Sequence, residues 1–294
     1  MSETDKLVQR LHSFLDRLEP LLPPQANPAE KYDGGAFRWR RTGNSGVIQK
    51  IDYPPHIRLN DLQCITRQKE AITTNTRQFL ANMPANNVLL WGPRGTGKSS
   101  LIKALLNEFA DQGLNMIEVQ RQDLDQLRDI TEQLRQHDAR FILFCDDLSF
   151  EANDPSYKAI KVVLDGSLSA TPDNVLIYAS SNRRHLLPES MRDNVDSHMV
   201  ADELHLNEAI EEKISLSERF GVWLAFHPFN QEQYLAIVDY WIKQLQTQVE
   251  DAQQLRKEAL KWALEHGSRS GRAAYQFARD WSGKQQLGKL DNEH

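Results

Sequence analysis

Cysteine is scarce in this chain: two in 294 residues, Cys64 and Cys145. Neither stands in a CxxC pair or at metal-ligand spacing, which argues against a disulfide framework and against a zinc site. Cys145 falls inside an apolar run and reads as a small buried filler. A basic surplus is missing too. Lys and Arg number 35 against 41 Asp and Glu, a net charge of -6. That excludes coating nucleic acid through overall charge and leaves only a local basic patch. No apolar run is long enough to span a bilayer. The start, MSETDKLVQR, has no positive head before an apolar stretch, so no signal peptide is expected and the chain is assigned to the cytoplasm. Repeats and low-complexity segments are absent. What remains is 40% hydrophobic and 26% charged residues. That is ordinary globular composition, at a length for one large domain or two moderate ones.

Leu7, Val8, Leu11, Phe14, Leu15, Leu18 and Leu22 share one helical stripe. Pro20, Pro23, Pro24 and Pro28 then predict an extended linker. In GGAFRWRRTGNSG, Phe37 and Trp39 alternate with Arg38 and Arg40, the pattern of a short strand with one apolar and one basic face. From about residue 56 the texture changes. NNVLLWG, NMIEV, FILFC, NVLIYA and GVWLAF are strand-sized and mostly continuous in apolar character. Strands buried on both faces look like this, as in a parallel sheet covered by helices. Helical segments lie between them. One stops at Gly113, and another opens on Asp154 and Pro155, a cap and a first-turn proline. After Asn230 the strand signals cease and three helices follow. The expected division is 1–55 (helix, linker and basic-aromatic strand), 56–229 (nucleotide-binding domain) and 230–294 (helical lid).

GPRGTGKS, Gly92 to Ser99, matches G-x-x-x-x-G-K-[ST] between an apolar run and a helical segment. Gly95 and Gly97 let the backbone curl its N–H groups toward phosphate oxygens. The helix start adds positive potential. Gly92, Pro93, Arg94, Gly95, Thr96, Gly97, Lys98, Ser99 and Ser100 are therefore the candidate phosphate cradle. Lys98 is placed to reach the β/γ-phosphates, and the Ser99 hydroxyl to bind Mg²⁺. Downstream, FILFCDD ends a buried strand in Asp146 and Asp147. Unpaired carboxylates beside an apolar core are costly. An Asp in this position supports the Mg²⁺ held by the loop Ser, so Asp146 joins Ser99 as a candidate metal ligand.

No NKxD string marks a guanine site. GPRGTGKS, FILFCDD, NVLIYASSN, LSERFGVWLAF and GSRSGR together resemble the AAA+ ATPases over roughly residues 56–283. The resemblance implies a P-loop αβα fold with a parallel sheet and a C-terminal helical lid, here behind an N-terminal extension. It implies ATP and Mg²⁺ as ligands and hydrolysis as the activity. Asn182 falls where sensor 1 orients the attacking water, and Asp147 where the water-polarising acid stands. Arg219 falls where an arginine finger serves a neighbouring subunit, with Arg183 and Arg184 as other candidates in trans. Arg272 falls at sensor 2, with Arg269 the second candidate. LNDLQCITRQKEAI resembles the adenine-side segment, with Cys64 where Gly is common. More narrowly, these motifs resemble a bacterial AAA+ family known mainly as a domain of unknown function.

Assembly into a homo-oligomer on ATP binding follows from the resemblance, but the client does not. The aromatic-hydrophobic-Gly loop of protein-threading members is replaced by VQRQDLDQL. The Asp-Asp pair resembles replication initiators and helicase loaders, although no helix-turn-helix or zinc-finger pattern is present. AFRWRR is the one patch suited to phosphates and bases. Its alternative is a strand packed on the core with solvated arginines. Four readings stand: an ATPase, a non-hydrolysing ATP switch, a DNA-remodelling or helicase-loading factor, and a small-molecule kinase with no evident acceptor site.

Overall fold

The computed structural model describes residues 32–43, 45–150, 155–165, 172–183, 186 and 216–292. The expected helix of residues 6–22, the proline linker, Asp154, Arg184 and residues 189–215 lie outside them. Among the described residues the strands are β1 (Gly35–Thr42), β2 (Ser45–Lys50), β3 (Val88–Trp91), β4 (Leu114–Val119), β5 (Arg140–Cys145), β6 (Val175–Ser181) and β7 (Val222–Ala225). They form one sheet in the order β2-β1-β4-β5-β6-β3-β7. Only β2 runs antiparallel, paired with β1. The helices are α1 (Thr66–Leu80), α2 (Lys98–Phe109), α3 (Leu127–Leu134), α4 (Pro155–Asp165), α5 (Gln231–Gln244), α6 (Ala252–Glu265) and α7 (Gly271–Asn292).

The continuous apolar runs are explained by burial on both faces. Along β5, Ile142 and Phe144 enter one core, while Phe141, Leu143 and Cys145 enter the other. β6 divides the same way, Leu176 and Tyr178 against Val175, Ile177 and Ala179. Helices α1 and α2 cover the first face and α3 and α4 the second. Each fully buried Leu or Phe contributes roughly 1.5–3 kcal/mol. The first core continues into α5, α6 and α7 through Tyr234, Leu235, Ala259, Ala274 and Phe277. Asn230 starts α5 with a reciprocal cap: its side chain accepts from Gln233 N at 2.9 Å, and Gln233 Oε1 accepts from Asn230 N at 3.0 Å.

Residues 35–50, expected within an N-terminal extension, form two strands of the same seven-stranded sheet. Gly35 to Arg38 pair in parallel with Asn115 to Glu118. The alternation in β1 is as expected: Phe37 and Trp39 are each 1% exposed, and the Trp39 indole donates to Gln126 Oε1 at 2.8 Å. The basic face is taken up only in part: Arg40 stays exposed, while its neighbours meet acids. Arg38 pairs with Glu118 at 2.6 Å and Arg41 with Asp125 at 2.8 Å. The buried tryptophan cannot stack on a base, so the patch reads as a strand packed on the core, with Arg38 and Arg41 ion-paired.

Candidate active site

The phosphate loop leaves β3 at Gly92, whose N–H donates to Ser181 O on the neighbouring β6 at 3.1 Å. Gly92 has φ 140°, and a Cβ there would stand 2.1 Å from Phe226 O. The first glycine is required by this close approach as well as by its conformation. Gly97, at φ 100°, turns the chain into α2. Thr96 is buried and its hydroxyl donates to Pro93 O at 2.9 Å, bracing the loop.

Lys98, 6% exposed, points back under the loop. Its Nζ donates to Gly92 O at 2.7 Å, Pro93 O at 2.8 Å and Asn182 Oδ1 at 3.1 Å. Burial pulls its pKa down to about 8, against the raising influence of Asp147 and Asp146, while Arg94 adds to the lowering. An anion close to Nζ would favour the charged form by the same logic.

Asp146 and Asp147 follow β5 directly, and their carboxylates face different partners. Asp146 Oδ1 accepts from Ser99 Oγ and Ser180 Oγ, both at 2.5 Å. Asp147 turns through a left-handed backbone, φ 52°, a region Asp tolerates better than most residues. Its Oδ1 accepts from Asn182 Nδ2 at 2.5 Å, and its Oδ2 lies 3.6 Å from the Arg94 guanidinium. Asn182 therefore links the loop lysine to the second acid, one amide group serving both.

These groups line a cavity of about 670 Å³. Its apolar lining includes Ile57, Leu62, Ile65, Ile237 and Trp241. Trp241 packs on Tyr275 with ring centroids 4.6 Å apart. Arg272 also lines it, from the first turn of α7. Gly271 N donates to Gly95 O at 2.9 Å, so the start of α7 docks directly on the phosphate loop. A Cβ on Gly95 would meet the Ser270 side chain at 2.6 Å. Lys98, Ser99, Asp146, Asp147, Asn182 and Arg272 are thus brought together. Arg219 is not among the cavity residues; it pairs with Asp165 at the end of α4. Arg183 is exposed, its backbone N–H held by Ser181 Oγ at 3.0 Å.

The site contains residues that motif reading passes over. Ser180 touches both acids, and its signal is a pair of serines closing an otherwise apolar strand. Trp241 and Tyr275 carry no signal beyond helical aromatic spacing. Among the described residues, no group of three or more His, Cys, Asp or Glu side chains is placed to hold a metal. One hydroxyl and one carboxylate are what Mg²⁺ takes from a protein when phosphates and water complete its shell. Ser99 and Asp146 fit that donor set, since a hydroxyl that donates to Asp146 keeps its lone pairs.

A mostly parallel sheet with a glycine-rich loop after β3, acids after β5 and a C-terminal helical part defines an AAA+ P-loop fold. Solved structures agree at the level of fold. The Thermotoga maritima RuvB Holliday junction branch migration motor matches with TM-score 0.51 and 16% identity, over 77% of this chain and 64% of that one. The Aeropyrum pernix ORC1 protein in complex with DNA matches with TM-score 0.52 and 13% identity, over 76% and 59%. The chain thus spans less than two thirds of either. No curated protein matches it. Residues 33–285 match the family described as "Protein of unknown function (DUF815)", and the chain belongs to that family.

Proposed function

We propose that this chain binds Mg·ATP in the cavity between its sheet and its C-terminal helices and hydrolyses it, coupling turnover to self-assembly or to remodelling of a partner. One observation carries the reading: Lys98, Ser99, Asp146, Asp147 and Asn182, from three separate segments, form one hydrogen-bonded cluster beside the phosphate loop. The loop N–H groups and Lys98 would hold the β/γ-phosphates, and Arg272 would add charge on the γ side. Ser99 and Asp146 would hold Mg²⁺, which when bound supplies charge neutralisation at the phosphates. Asp147 accepts the proton of the attacking water, which Asn182 orients. Arg219 would act on the ATP of a neighbouring copy, consistent with its place outside its own cavity. The proposed units are a nucleotide domain to about residue 229 and a helical lid from 230, in a cytoplasmic protein. No described helix is long and apolar enough to cross a membrane.

Turnover measured across protein concentration, for wild type against Asp147→Asn, tests this. Asn accepts the left-handed backbone, so the variant should fold and lose roughly 10²-fold or more in rate. Wild-type turnover should rise with concentration. Absence of turnover at any concentration would sink the hydrolytic reading.

One feature favours a second reading, in which ATP acts as a switch with little hydrolysis. Asp147 is about 1.5 Å shorter in reach than a Glu, and both its oxygens already face Asn182 or Arg94. A DNA client, as the names of the two structural relatives would suggest, is not favoured by the charge. Arg38 and Arg41 are ion-paired, and of the three strand arginines only Arg40 has no acidic partner among the described residues. Substituting Arg38, Arg40 and Arg41 together should leave any DNA binding and its salt slope unchanged.

A further inference from the structure

We infer that Ser180 is a positioning residue for the metal site, fixing the Asp146 carboxylate so that one oxygen is left for the cation; this rests on the Mg·ATP reading above. Ser180 is 1% exposed, on a strand whose other side chains are mostly apolar. A hydroxyl there must find partners or cost stability. Those it finds are all in the site. Its Oγ–H donates to Asp146 Oδ1 at 2.5 Å, and its oxygen accepts from the Asp147 N–H at 3.1 Å. Its Oγ lies 3.4 Å from Ser99 Oγ, and its carbonyl accepts from Leu148 N at 2.6 Å. Residues 146 to 148 are thus held by one serine.

The consequence is an asymmetric carboxylate. Asp146 Oδ1 accepts from Ser99, from Ser180 and, at 3.1 Å, from the Asp147 N–H. No hydrogen bond reaches Oδ2 from the described residues. Three donors on one oxygen fix the carboxyl plane and leave Oδ2 as the oxygen for a cation or its water. Ser180 also fixes the peptide that turns Asp147 toward Asn182. One hydroxyl therefore sets the metal acid and the water acid together. Losing it removes one of the three donors that hold Asp146 Oδ1 and one of two acceptors of the Asp147 N–H.

The test is binding of a fluorescent, non-hydrolysable ATP analogue, titrated with Mg²⁺ and repeated in EDTA, for wild type, Ser180→Ala and Ser180→Thr. Outer-shell partners of metal ligands typically govern about 10–100-fold in metal affinity. Ser180→Ala should need roughly tenfold more Mg²⁺ to support binding, with affinity in EDTA unchanged. Ser180→Thr, which keeps the hydroxyl, should restore the wild-type requirement. Equal Mg²⁺ requirements in wild type and Ser180→Ala overturn the inference while leaving the ATP reading intact. So does a loss of affinity that is as large in EDTA as in Mg²⁺, since that marks a structural role. A wild-type chain that binds no analogue at any Mg²⁺ concentration overturns both. Should Ser180→Ala not fold, Ser180→Cys, a near isostere with a weak donor, is read by the same criteria.

Discussion

Cys64 adopts φ 62°, a left-handed backbone that costs a residue with a Cβ about 1–2 kcal/mol. It stands in the segment that resembles an adenine-side segment, at the place where the family resemblance leads one to expect glycine. The structure supplies the reason: the chain must turn left-handed there to pass from the turn at Leu59–Asp61 into α1. The sulfur gains little, with one long contact to Gln233 O at 3.9 Å. Cys64→Gly relieves the strain but adds unfolded-chain entropy of roughly 0.5–1 kcal/mol. The net expectation is stabilisation by about 0.5–1 kcal/mol, read as a higher urea midpoint. An unchanged or lower midpoint would mean that the sulfur contact is worth more than its length suggests. At this scale the motif residues were legible because their spacing is tied to phosphate chemistry. Ser180 was not, because a serine next to a strand end has many uses. Only its distances to Asp146 and Asp147 separate them.

At the scale of elements, the parallel strands were legible because two-sided burial writes itself as unbroken apolar runs. β2 was not. SGVIQK has two adjacent apolar residues and no alternation, and it lies at the sheet edge. Its Gly46 lets the Trp39 ring lie across the strand, where a Cβ would come within 2.3 Å of the ring. The joining of β1 to β4 depends on another unadvertised residue, Asn115, fully buried in an apolar strand. Its Oδ1 accepts from Gly34 N at 3.1 Å, and its Nδ2 faces Tyr32 O, Gly113 O and Arg140 O at 3.1–3.3 Å. One amide thus ties the segment before β1 to β4 and β5. Asn115→Leu would strand these backbone groups in the core. Leaving a buried group unpaired costs about 1–3 kcal/mol, so a loss of roughly 2–3 kcal/mol is expected in urea unfolding. A loss under about 0.5 kcal/mol, the range of ordinary surface substitutions, would show that water takes over these bonds.

For the molecule as a whole, the site is incomplete without the C-terminal helices. Arg272 and Trp241 line it from α7 and α5, and Gly271 clamps the loop at Gly95. Trp241 and Tyr275 escaped sequence reading because a helix aromatic looks the same whether it faces a core or a ligand. Arg219 poses the remaining question at this scale. It pairs with Asp165 outside its own cavity, 54 residues away in sequence. The pair has two readings: a brace between α4 and the approach to β7, or a parked finger for a neighbouring copy. Mixing separates them. Under the finger reading, Lys98→Ala removes the proposed phosphate lysine but keeps Arg219, and Arg219→Ala keeps the proposed phosphate site but removes the finger. An arginine finger is worth roughly 10³–10⁵ in rate, so each variant alone should be nearly inactive. Combined in one solution they should recover turnover, because an Arg219→Ala site can be completed by the arginine of a Lys98→Ala neighbour. If Arg219 is only a brace, Arg219→Ala lowers the unfolding midpoint and mixing restores nothing.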